Sequence, residues 1–314
     1  KEPGLMKFGH FRCLFMVPWA VLFSLHLIAD VQGLEVLRIP NLQGSSEPNK
    51  DVADAAITSC PAQAVPKPAG IDFPAWVDLK TGQNLPCFQT YGFDFKMDLA
   101  LSCLTSPTVG LKESRAIYVI GDSHGAHLLS AFQYASKLPV FWLAWAKGGW
   151  DDPIKKLEAP LRQVLSKDDV VVFNELVEND QEQQSYRQQV DALHKITSAV
   201  GAKILFIGDT PKWPQDPKIC LMKMTPGQES PCATSQELSM SRQLSRKVIQ
   251  ELKASPDVFF FEAIEHYCKQ GRCDIFIPGT SAIGFCDFDH MGKAGSAYLA
   301  PFLCDFLHRN GLAP

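Results

Sequence analysis

The sequence carries no excess of basic charge. Its 314 residues hold 30 Lys and Arg against 34 Asp and Glu, a net charge of −4, and the pI lies near 6.1. Neither nucleic acid nor an acidic membrane surface is expected as a partner. There is no Gly-x4-Gly-Lys-Ser/Thr, since Gly292-Lys293 is followed by alanine. No Gly-x-Gly-x-x-Gly follows the first strand-like run, so no nucleotide cofactor is expected. Cys268 and Cys273 have no second Cys or His pair at zinc spacing, and no metal centre is expected. No Asn-x-Ser/Thr sequon occurs, which leaves N-glycosylation without support. What remains is ordinary globular composition, 46% hydrophobic and 20% charged, with room for one full core and an extension.

The N-terminal stretch reads differently. Met6-Lys7, His10 and Arg12 precede an apolar run from Cys13 to Ala29, and Val31-Gln32-Gly33 offers small residues for cleavage. Residues 1–33 are read as a secretory signal peptide starting at Met6; the alternative is the same segment retained as a membrane anchor. Ten cysteines agree with a secreted, extracellular or lumenal chain. Cys268–Cys273 and Cys220–Cys232 are expected as small disulfide loops, and Cys286 with Cys304 could clamp the last helix. Without Cys13, nine cysteines remain, so at least one thiol should stay outside a bridge.

Residues 34–114 show no sustained period and are rich in turn residues, so they are read as an irregular, disulfide-pinned extension. From Arg115 the pattern changes. Apolar runs of strand length recur at Ala116–Ile120, Val140–Ala144, Val170–Phe173, Ile204–Ile207 and Val258–Phe261. Between them Tyr186, Val190, Leu193, Ile196 and Val200, and then Met240, Leu244, Val248 and Leu252, fall at helical steps. Strands apolar throughout belong to a sheet covered on both faces. The fold class is therefore α/β over residues 115–314, a doubly wound parallel sheet of about five strands.

In such sheets ligands bind beyond the carboxyl ends of the strands. Ser123 follows the first strand directly, Asn174 follows the third, and Gly148-Gly149 lies a few residues past the second. Near the C-terminus, Asp287-Phe-Asp-His290 supplies a base and a carboxylate. Ser123, Asp287 and His290 are the candidate nucleophile, orienting acid and base. The oxyanion donors are expected to be the Ser123 N–H, a backbone N–H at Gly148 or Gly149, and the Asn174 amide. Asp122 is read as a helix cap, and His124 and His127 as structural or rim residues.

Gly121-Asp-Ser-His124 with Asp287-x-x-His290 resembles the SGNH/GDSL hydrolase superfamily. The chain is most similar to the SGNH domain fused to membrane acyltransferase-3 proteins that O-acetylate cell-surface glycans. Ile207-Gly-Asp-Thr-Pro-Lys-Trp-Pro214 followed by Cys220-Leu221, the Cys268-x4-Cys273 loop, and Gly295 after the last motif carry the likeness further. It spans roughly residues 115–312, and departs where Met291-Gly292 stand in place of the family's usual Leu-Ser. The resemblance implies a three-layer sandwich and O-acyl, chiefly O-acetyl, chemistry on a carbohydrate or acylated glycan, without a cofactor. The sequence holds no multi-helix membrane domain, so the acyl group would come from a separate membrane protein or another donor, or water would serve as the acceptor in place of a sugar. A catalytically inactive glycan-binding domain is the alternative expectation.

Overall fold

The structure, a computed structural model, describes residue 60 and residues 87–89, 96–105, 115–146, 152–224, 230–236, 244–252 and 255–314. The expected signal peptide, most of the expected extension and the Gly148-Gly149 pair lie outside the described residues. The strands in chain order are β1 (Phe88–Gln89), β2 (Ile117–Gly121), β3 (Val140–Trp145), β4 (Val170–Asn174), β5 (Lys203–Gly208), β6 (Thr234–Ser235), β7 (Val258–Glu262), β8 (Cys268–Lys269) and β9 (Arg272–Cys273). Six of them form one sheet in the order β1-β3-β2-β4-β5-β7, with every pairing parallel.

The five apolar runs are the five long strands of this sheet. Every residue of β2, β3 and β4 is buried, as a parallel sheet covered on both faces requires. Alternate side chains point to opposite faces and build two cores. On one face Ile117, Val119, Val140, Trp142, Val170, Val172 and Leu205 pack with Phe132 and Leu303 from helices Leu129–Ala135 and Ala300–Arg309. On the other, Tyr118, Ile120, Phe141, Leu143, Val171, Phe173 and Phe206 pack with Leu157, Val190, Leu193 and Val248 from helices Pro153–Val164, Asp180–Val200 and Leu244–Leu252. Each such aliphatic or aromatic side chain contributes roughly 1.5–3 kcal/mol by leaving water.

The local signals are where the sequence puts them. Asn179 accepts the Glu182 N–H at 2.9 Å and starts the long helix, and Gly201 at φ +75° ends it. Within the expected extension, Phe88–Gln89 add a short edge strand beside β3, and Met97–Thr105 form a helix. Cys87–Cys103 ties the two together.

The expected Cys220–Cys232 and Cys268–Cys273 bridges are present, the second closing the β8–β9 hairpin. The expected Cys286–Cys304 clamp is not. Cys304 instead pairs with Cys60, while Cys286 keeps a buried thiol whose Sγ lies 3.6 Å from the His290 carbonyl. The last helix is stapled to the N-terminal side of the chain and not to the loop carrying His290. Four disulfides are the covalent pattern of an extracellular or lumenal domain. Among the described residues, no helix is long and apolar enough to cross a membrane.

Candidate active site

β2 ends in Gly121, and the chain turns at once into a four-residue helix, Ser123–Ala126. Gly121 is required by close approach: it pairs with Asn174 on β4, and a Cβ there would sit 1.9 Å from the Asn174 carbonyl oxygen. Asp122 fixes the turn. Its Oδ1 accepts the His124 N–H at 2.8 Å, and its Oδ2 accepts the Leu176 N–H at 3.0 Å. It is the cap that the sequence suggested. The turn holds Ser123 at the carboxyl end of a central strand, with Asn174 ending the neighbouring one.

The C-terminal loop is built by its own acid. Asp287 Oδ1 accepts the N–H groups of Asp289 (3.0 Å) and His290 (2.8 Å), curling the chain so that His290 faces back. The loop is pinned by Cys286 N–H to His290 O at 3.0 Å and by Gly292 N–H to Gly284 O at 2.9 Å. Trp213 N–H, from the segment after β5, bonds Phe288 O at 2.7 Å. Tyr267 Oη donates to Gly295 O at 2.5 Å from below.

These two segments, 167 residues apart, meet side chain to side chain. His290 Nε2 lies 2.8 Å from Ser123 Oγ. His290 Nδ1 lies 2.9 Å from Asp287 Oδ2 and 3.1 Å from its Oδ1. Ser123, His290 and Asp287 thus form one hydrogen-bonded chain. Asp289 Oδ1 also comes within 3.1 Å of Nδ1, but without hydrogen-bond geometry. Of the expected oxyanion donors, Ser123 and Asn174 share this rim; Gly148 and Gly149 are not described.

Charge at the site is unevenly held. Burial works against a charged His290, yet the hydrogen bond to Asp287 and the charges of Asp287 and Asp289 outweigh it and raise its pKa well above the ordinary 6.5. Asp287 is buried too, but the His290 hydrogen bond and charge drive its pKa down. His127 is the reverse case. Burial, with repulsion from His124 and His290, keeps its pKa well below 6.5. It is neutral, and its Nδ1 accepts the Met291 N–H at 3.4 Å.

Asp209 was not read from the sequence as part of this site, and Asp289, adjacent to the base, was expected to point away from it but brings its Oδ1 to 3.1 Å from His290 Nδ1. Asp209, one residue beyond β5, meets His124 Nδ1 at 2.8 Å. Asp289 contacts three basic side chains: His290 at 3.1 Å, His124 at 4.0 Å and Lys212 at 3.9 Å. A carboxylate directly after a strand end was the available signal for Asp209. His124, His127 and Asp209 present ligand atoms within 4.8 Å of one another. The Nδ1 of each histidine is already occupied, by Asp209 and by the Met291 N–H.

Residues 86–304 match the family described as the SGNH domain fused to AT3 domains. The chain belongs to this family. SGNH membership places it with acyl-transfer and hydrolase-type domains of esterase or acyltransferase role. Among solved structures, the periplasmic domain of a lipopolysaccharide acetyltransferase from Salmonella ser. Paratyphi A aligns with TM-score 0.49 and 17% identity, covering 68% of this chain and 87% of that one. A protein from Bacillus subtilis aligns with TM-score 0.41 and 14% identity, covering 64% and 58%. No curated protein sequence matches the chain significantly.

Proposed function

We propose that this SGNH domain transfers an O-acyl group, chiefly acetyl, to or from a carbohydrate through an acyl-serine. The observation that carries the reading is the hydrogen-bonded chain Ser123 Oγ–His290 Nε2, His290 Nδ1–Asp287 at the carboxyl rim of the sheet. Ser123 Oγ attacks the acyl carbonyl as His290 Nε2 takes its proton. A C–O bond forms to Ser123, and the tetrahedral oxyanion is held by the Ser123 N–H, the Asn174 amide and a backbone N–H at Gly148 or Gly149. One such donor is worth about 3 kcal/mol. The intermediate collapses, the bond to the leaving alcohol breaks, and His290 returns the proton to that oxygen. Asp287 fixes the tautomer and stabilises the imidazolium.

In the second half-reaction His290 activates a sugar hydroxyl or water. A sugar wins where binding orients it and excludes water, an effect reaching many decades in effective molarity. Transfer in place, with an acyl group delivered by a separate membrane protein, and ester hydrolysis in isolation are both consistent with one acyl-serine. The decisive experiment supplies an activated acetyl donor with glycan acceptors and measures acetylated sugar against free acetate, for the native protein and Ser123→Ala. Acetylated sugar supports transfer. Acetate alone from every acceptor, with fast deacetylation of acetylated glycans, replaces transfer by esterase activity. No turnover at all leaves the glycan-binding domain.

A further inference from the structure

His124 stands beside the nucleophile in the chain, and its side chain is 1% exposed. Its Nδ1 is bound to Asp209 Oδ1 at 2.8 Å. Asp209 is fixed in turn, since the same oxygen accepts the Thr210 N–H at 2.9 Å. The other nitrogen, Nε2, is sealed from solvent and has no hydrogen-bond partner. It faces Asp289 Oδ2 at 4.0 Å, and the ring lies 4.9 Å from that of His290, tilted by 46°. A second acid–histidine pair therefore packs against the first, and Asp289 reaches a nitrogen of each imidazole.

We propose that the Asp209–His124 pair is a positioning device for the base: it presents a buried positive charge to Asp289 and His290 and sets the pH at which His290 releases its proton. The proposal rests on the reading of Ser123 and His290 as nucleophile and base. Two carboxylates at one Nδ1 stabilise the imidazolium, and an imidazolium that holds its proton cannot act as a base near neutrality. A cation on the far side of Asp289 draws that carboxylate's charge away from Nδ1 and repels the proton on His290 directly.

His124 can be that cation. Burial opposes its charge, but the charge and hydrogen bond of Asp209, with the charge of Asp122, raise its pKa above the ordinary value. The groups facing it are Asp209 after β5, Asp122 on its own turn, His127 one helical turn on, and Asp289 and His290 on the C-terminal loop. Lys212, ion-paired with Glu178, also approaches Asp289 at 3.9 Å and adds a second, partly exposed cation beside the same carboxylate.

The test measures the rate constant for labelling of Ser123 by a fluorophosphonate from pH 5 to pH 10. The native protein is compared with Asp209→Asn, His124→Gln and Lys212→Met, and with Asp209→Glu as the conservative rescue. Loss of the buried charge should move the acid limb of the profile to higher pH by about one unit, a tenfold slower labelling on that limb. Asp209→Glu should move it back. A uniform fall at all pH values with the limb in place means a merely structural pair and overturns the proposal. If neither buried variant folds, Lys212→Met carries the decision: an alkaline shift supports the shared role of Asp289, and an unmoved limb refutes it. Absence of labelling in the native protein removes the reading of Ser123 itself, a result separate from either.

Discussion

Gly121 and Asn174 face each other across β2 and β4 with no room for a side chain at the glycine, whose added Cβ would fall 1.9 Å from the Asn174 carbonyl oxygen. The contact ties the turn carrying Ser123 to the strand end carrying Asn174. Gly121→Ala should cost about 3 kcal/mol or more, because backbone and not a flexible side chain must yield. It should also slow labelling of Ser123 well beyond the loss of folded protein. Thermal unfolding and labelling rate, measured on the same samples, check both parts.

Asp287 and Asp289 both approach His290, but only Asp287 also bonds the loop backbone and meets Nδ1 with hydrogen-bond geometry. Asp287→Asn should lower kcat by on the order of 10³-fold or more, by favouring the wrong tautomer. Asp289→Asn should cost far less, and by removing one countercharge it should move the acid limb to lower pH. With His290 raised above 6.5, the native limb should lie alkaline of that value. The reverse ranking in steady-state kinetics would exchange the roles of the two acids.

The same pair leaves a signature in stability. Asp287 is depressed when folded, so its contribution is present above 3.8 and is lost as pH falls through its folded value. His290 is raised, so its contribution is complete below 6.5 and is lost as pH rises through its folded value. The excess stability of the native protein over Asp287→Asn should therefore be largest between about pH 4 and 6.5. Urea unfolding of both proteins from well below pH 4 to well above pH 6.5 is the check, and a difference independent of pH over that span would contradict it.

Peptide mapping without reduction should recover Cys60–Cys304, Cys87–Cys103, Cys220–Cys232 and Cys268–Cys273. Cys286 should alkylate only after unfolding, because it is buried. Cys60–Cys304 spans 244 residues of chain. Its removal should destabilise most among the four, toward about 5 kcal/mol in the chain-entropy limit. A Cys286–Cys304 bridge in the map would contradict the assignment.

The five long strands were legible because a strand buried on both faces must be apolar throughout, and a run such as Val170–Phe173 leaves little alternative. Edge strand β1 was not: two residues, Phe88–Gln89, carry no period, and only their position beside β3 makes them a strand. The hydrogen-bonded chain at the rim was legible because Asp287 and His290 are close in sequence and follow a strand-end serine. Asp209 was not, because its partner His124 lies 85 residues away and only the sheet order brings the two turns together. Cys60–Cys304 was hidden for the same reason. Sequence proximity favoured Cys286–Cys304, while the fold sets the last helix against a distant part of the chain.

The central claim is that Ser123, activated by His290, is the nucleophile. Intact mass spectrometry after exposure to a serine-directed fluorophosphonate tests it most directly, on the native protein and on Ser123→Ala. The expected result is one phosphonyl adduct per native chain, mapped to the peptide containing Ser123, and none on the alanine variant. Stoichiometric labelling of Ser123→Ala, or a folded native protein that takes no label, would contradict the account.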